Sequence, residues 1–274
     1  MSGADPRPIG MFDSGFGGLT VARAVIDLLP DEDLVYIGDT GRYPYGSKSA
    51  DEVRRYAREL AHSLVDEHDV KAIVIACNTA SAAAHDEIAA EMPVPVISVV
   101  EPGARALVAA SRSRRAGVIG TVGTIASGAY QRAIAAADPG LGLVASACPG
   151  FVEFVERGQT AGDEVTVLAE RLLAPVVEAD IDALLLGCTH YPFLAGVIAR
   201  VLGPDVVLVS SADETARETV RLLDERGLRA PAGRTGTHTF HSSGDVEWFA
   251  EFGAHLLGPE LDTAARWEPG PRRP

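Results

Sequence analysis

The sequence predicts an α/β protein of two similar domains, each with a mainly parallel sheet flanked by helices, and with the active site in the interdomain cleft. Three observations predict it. Apolar runs of strand length alternate with amphipathic helical stretches almost throughout the 274 residues. Two of those runs, at 72–79 and 183–190, each end in a cysteine followed by hydroxyl or amide side chains, and these cysteines, Cys77 and Cys188, stand 111 residues apart. The runs at 96–100 and 207–211 repeat at the same offset, and 11–15 corresponds less closely to 119–123 at an offset of 108.

Taken in order, strands are expected at 9–12, 34–37, 72–76 and 94–100, then at 116–120, 141–145, 183–186 and 206–209, each an apolar run closed by polar or small residues. Amphipathic helices are expected at 51–67, 80–91, 162–179 and 214–226. Helix-start patterns follow the repeated strands, Glu101-Pro102-Gly103 in one half and Asp213-Glu214 in the other. The first domain then comprises 1–100 with 212–274, and the second 101–211. The last sixty or so residues have no counterpart and are expected to pack back on the first domain. Residues 269–274 are expected to fray.

Composition narrows the function. A hydrophobic content of 47% describes an ordinary globular protein, and no apolar run approaches the roughly 18 residues of a membrane span. The first residues lack the basic and apolar regions of a signal peptide, so a cytoplasmic location is expected. A net charge of −14 argues against general affinity for nucleic acid. The Arg112, Arg114, Arg115 cluster is a local exception, expected to be a solvated helix end.

Ligands in open α/β sheets bind beyond the carboxyl ends of the strands. Asp13, Ser14, Asp39, Cys77, Thr121 and Cys188 all fall at such ends. A lone cysteine there is usually a small buried residue, but matched placement in two halves, each before a helix start, suggests paired thiols. One thiolate can then act as base and the opposite thiol as acid. His190 lies beside Cys188 and can exchange protons with it. Cys148 has no counterpart and is assigned to core packing, His238 and His241 to a C-terminal extended segment, and Glu153 and Glu156 to a solvated helix face. Apart from Cys188-Thr189-His190, whose two candidate ligands stand too close to share one ion readily, no cysteine has a second cysteine or histidine at structural-zinc spacing, so no metal is expected.

The loop 13–18, Asp-Ser-Gly-Phe-Gly-Gly, could present backbone N–H groups to an anion. It fits a dinucleotide fingerprint poorly, because the last small residue is missing and an Asp opens it. The loop 39–47 is rich in aromatic residues and glycine, leaving Tyr43 and Tyr45 free to cover a ligand. Lys48 and Lys71 are the only lysines, and neither sits at a strand end among these residues, which tilts the chemistry away from pyridoxal and towards no cofactor.

The segments Phe12-Asp13-Ser14-Gly15-Phe16-Gly17-Gly18-Leu19-Thr20, Tyr36-Ile37-Gly38-Asp39, Tyr43-Pro44-Tyr45-Gly46, Cys77-Asn78-Thr79-Ala80 and Leu186-Gly187-Cys188-Thr189-His190-Tyr191-Pro192 closely resemble the glutamate racemases of the aspartate/glutamate racemase superfamily. The resemblance runs from about residue 9 to about 213. It implies a cofactor-independent enzyme interconverting L- and D-glutamate, with D-glutamate used for peptidoglycan, and a homodimer. It implies Cys77 as the thiol that works on D-glutamate, assisted by Asp13, and Cys188 as the thiol that works on L-glutamate, assisted by His190. The family's glutamate lands on Glu156, with Glu153 standing where the pattern has proline. Ser14, Tyr45, Gly46, Asn78, Thr79, Thr121 and Thr189, with Asp13 and His190, are the implied substrate contacts. An aspartate racemase of the same superfamily and a non-catalytic dicarboxylate-binding protein are the alternatives.

Overall fold

Residues 4–270 are described by a computed structural model, in which ten strands form two sheets with every pairing parallel. The chain opens with β1 (Ile9–Asp13), α1 (Leu19–Leu28), β2 (Leu34–Gly38), α2 (Ala50–His68), β3 (Ala72–Ile75), α3 (Asn78–Glu91) and β4 (Val96–Ser98). It continues through α4 (Val100–Ala110), β5 (Arg115–Gly120), α5 (Val122–Ala126), α6 (Ala129–Ala137), β6 (Gly142–Ala147), α7 (Phe151–Glu156), α8 (Asp163–Glu178), β7 (Ala183–Gly187), α9 (Ala195–Leu202) and β8 (Val207–Ser210). It closes with α10 (Ala212–Arg226), β9 (His238–Ser242), α11 (Val246–Leu257) and β10 (Ala265–Arg266).

One sheet runs β10-β9-β2-β1-β3-β4 and the other β6-β5-β7-β8. The central strands β1, β3 and β7 are buried along their whole length, as near-continuous apolar runs covered by helices on both faces should be. After α10 packs against α1, the chain returns to the larger sheet, where β9 pairs with β2 and β10 with β9. Of the stretch expected to fray, residues 271–274 lie outside those described.

The elements follow their local signals. Helix α2 starts where Ser49 and Glu52 cap each other, the Ser49 hydroxyl accepting the Glu52 N–H and the Glu52 carboxylate accepting the Ser49 N–H. The strand expected at 94–100 is shorter, ending at Ser98. The Ser98 hydroxyl accepts the Val100 N–H at 3.0 Å and donates to Glu101, turning the chain into α4 two residues early. At the opposite edge from the cysteines, Lys71 precedes β3 and is buried against Glu32 and the Asp5 carbonyl. That pair ties down the amino ends of the strands. No helix among the described residues is long and apolar enough to cross a membrane.

Candidate active site

Parallel strands bring their carboxyl ends to one edge, and the two sheets present those edges to each other. Cys77 follows β3 and caps α3, its sulfur accepting the Ala80 N–H at 3.4 Å and lying 3.5 Å from the Ser14 hydroxyl. Cys188 follows β7, with its sulfur 3.9 Å from His190 Nδ1. Both thiols line one small cavity. Ser14, Tyr45, Gly46, Asn78, Thr79, Thr121, Thr189 and His190 line it too, as do Tyr43, Pro44 and Val152. Eight of the anticipated contacts therefore share one hollow with both cysteines.

Asp13 and Glu156 stand just behind that lining. Asp13 ends β1 fully buried, and its Oδ2 accepts the N–H groups of Gly15 at 3.3 Å and Gly18 at 2.8 Å, while Oδ1 has no partner. Glu156 closes α7 with Oε1 3.5 Å from His190 Nε2, and neither atom has a hydrogen-bond partner. Glu156 was expected on a solvated face by its sequence position alone; the fold turns it inward against His190 instead. Phe16 packs its ring edge on that imidazole at 4.8 Å, fixing the histidine from the other sheet.

Burial sets the electrostatics. It pushes the Cys77 thiol up to about 12, helped by the Asp13 charge and opposed by the Ala80 N–H and Ser14. It pushes Cys188 well above the usual thiol range, with the His190 N–H opposing and the charges of Cys77, Asp13 and Glu156 adding to it. The charge at Cys77 thus bears on Cys188. Burial, and then Glu156, raise the Tyr43 phenol as well.

Tyr45 departs from the picture of a free aromatic cover. It lines the cavity, but its hydroxyl is donated to the buried Asp39, which also holds Arg42 and Ser243. Cys148 lies buried and does not line the cavity of the paired sulfurs, though it borders a neighbouring hollow that shares Pro44, Gly46, Thr121 and Val152 with it. Gly17 touches the opposite half so closely that a Cβ there would lie 2.5 Å from Thr189 Oγ1 and 2.7 Å from His190 Nδ1. Val152, Pro44 and Tyr130 were not singled out for the site. Val152 and Tyr130 sit on ordinary apolar helix faces, with no local pattern to mark them. Among the described residues, no cluster of three or more His, Cys, Asp or Glu side chains is arranged to hold a metal.

The family model described as Asp/Glu/Hydantoin racemase matches residues 19–219. A glutamate racemase of Acidothermus cellulolyticus is 53% identical over 255 residues, 93% of this chain and 96% of that protein. A crystal structure of a glutamate racemase isoform from Bacillus anthracis superposes with a TM-score of 0.88 at 40% identity, covering 95% of this chain and 96% of the other. A glutamate racemase from Francisella tularensis, solved in complex with D-glutamate, gives the same TM-score at 34% identity, covering 96% and 98%.

Proposed function

We propose that this chain, which belongs to the Asp/Glu/Hydantoin racemase family and is a glutamate racemase by kinship, interconverts L- and D-glutamate without a cofactor, using Cys77 and Cys188 as paired acid and base. The observation that carries the reading is that two thiols from the ends of strands in different sheets line one small cavity. The D-glutamate held by the Francisella relative supports the substrate. The segregation of β1–β4 with β9 and β10, and of β5–β8, supports two lobes divided as 1–100 with 212–274, and 101–211.

In the reaction one thiolate removes the Cα proton of glutamate, and the electron pair stays on the substrate as a carbanion. The opposite thiol then delivers its proton to the other face, leaving the enantiomer and exchanging the protonation states of the two sulfurs. A thiol that ionises reluctantly is, once ionised, a strong base, which narrows the gap to a weakly acidic Cα–H. Asp13, with a free Oδ1, stands to receive the Cys77 proton, and His190, with Glu156 3.5 Å away, the Cys188 proton. Asn78, Thr79, Thr121 and Thr189 supply donors for the substrate's carboxylates and the developing charge. Lys71, the lysine nearest in sequence to Cys77, is committed to Glu32 at the far edge, which favours chemistry without an imine-forming cofactor. The D-glutamate formed would serve peptidoglycan synthesis.

Circular dichroism of pure L-glutamate, followed in D₂O, tests the proposal. The signal should decay to zero and the product α-position should carry deuterium, while Cys77→Ser and Cys188→Ser should each lose about 10²-fold or more of the rate. A persistent signal with tight glutamate binding would make the protein a binder. Faster turnover of aspartate would make it an aspartate racemase. Full activity in either serine variant would remove the two-thiol mechanism.

A further inference from the structure

We infer that Tyr130 is a positioning residue for racemisation: from the second sheet's side it holds the Asn78 carboxamide so that its NH₂ group faces the cavity as a donor to a substrate carboxylate. The inference rests on the proposed substrate. Tyr130 sits on α6, wholly buried, and its hydroxyl donates to Asn78 Oδ1 across the junction between the sheets. Burial first, then the charges at Cys188 and Glu101, hold the phenol far above its ordinary ionisation range, so it remains a donor.

The phenol donates to the carbonyl end of the amide, and that bond sets which way the carboxamide faces. Oδ1 is taken, and Nδ2 is left buried without any partner on a residue that lines the cavity. A carboxamide N–H pair at that place suits a carboxylate, whereas the flipped amide would offer it a carbonyl oxygen and repel it. The ring reaches this position because glycines flank its path. A Cβ on Gly187, the residue before Cys188, would stand 3.0 Å from Tyr130 Cε2, and one on Gly103 would stand 3.4 Å from its hydroxyl. One side chain thus touches the strand end that carries Cys188 and sets the residue that follows Cys77.

The test is Tyr130→Phe, which removes the hydroxyl and keeps the ring. KM for glutamate should rise on the order of tenfold while kcat changes less, because a ground-state carboxylate contact is lost. In an Asn78→Ala background the same change should raise KM no further, since the amide it sets is gone. Thermal unfolding of each variant separates lost folding from lost binding, and calorimetric titration with L-glutamate reads the affinity where turnover is slow. An unchanged KM, or an equal rise in both backgrounds, overturns the positioning role. Absence of turnover in the unmodified chain would instead sink the racemase reading, with the glutamate affinities of the variants still deciding the role of Tyr130.

Discussion

Thr79 and Thr121, each in the first turn or at the cap of a helix that follows a strand of a different sheet, share a 3.0 Å hydrogen bond across the junction between the two sheets. Thr124 completes the triangle, 3.2 Å from Thr79 and 2.9 Å from Thr121. The three hydroxyls meet at the wall of the cavity, which Thr79 and Thr121 line. Gly46 lies against the same spot, so close that a Cβ there would meet Thr121 Cβ at 2.6 Å. The first half therefore grips Thr121 from two directions.

Replacing Thr121 with Val should open that grip while keeping its shape. The change removes the cap on α5, where Thr121 Oγ1 accepts the Thr124 N–H at 3.2 Å, and leaves Thr79 with one partner fewer. The cap alone is worth about 0.5–2 kcal/mol in denaturant unfolding. KM for glutamate should rise as well, because the closed cavity forms less readily. Thr121→Ser keeps the hydroxyl and should recover most of both losses. A serine variant as impaired as the valine one would show that methyl packing against Gly46, not the hydroxyl triangle, holds the halves together.

A paired glycine experiment separates close packing from loop flexibility in the segment after β1. Gly17→Ala would drive a Cβ into Thr189 Oγ1 and His190 Nδ1, moving the imidazole away from Cys188. At Gly15 a Cβ would meet nothing within 4 Å. Gly17→Ala should therefore lower kcat/KM at least about tenfold, and equally from both enantiomers, since the equilibrium constant between mirror-image substrates is one. The size follows from a misplaced catalytic group. Gly15→Ala should stay within a factor of about two, as a substitution into open space does. Equal losses at the two positions would mean that the loop needs glycine for its own conformation.

How far the sequence reached has physical reasons. Strands β1, β3 and β7 were legible because both of their faces are buried, which leaves an unbroken apolar run with a sharp polar end. The cysteines were legible because the repeat places them alike twice. The end of β4 was not, since Val99 and Val100 look like strand by side chain while the Ser98 hydroxyl, bonded to the Val100 N–H and to Glu101, turns the chain into helix. Tyr130 and Val152 were silent because their meaning depends on contacts 52 residues or more away in the chain or across the cavity, as with the Tyr130 bond to Asn78. Tyr45 was half legible: its place at the cavity followed from the loop, but the diversion of its hydroxyl to Asp39 depends on a fold of that loop with no periodic pattern to announce it.

Alkaline pH offers a last handle on burial, through the thiol that takes no part in the proposed chemistry. Burial alone raises Cys148 from a reference of 9.0 to about 12. Cys77 moves the same way. Below about pH 9 such a thiol is protonated in both folded and unfolded chains and adds no pH dependence. Between about 9 and 12 the unfolded chain releases the proton and the folded chain keeps it, so the folded form loses stability as pH rises. Each thiol steepens that decline by up to about 1.4 kcal/mol per pH unit. Because Cys77 and Cys188 also govern turnover, Cys148→Ala is the cleaner probe. Its lost packing shifts stability by a constant, whereas its lost thiol should flatten the alkaline slope of the unfolding free energy measured by urea titration. Identical slopes for the variant and the unmodified chain would show that Cys148 ionises in the folded protein as easily as in the unfolded one, and that the interior beside β6 admits water.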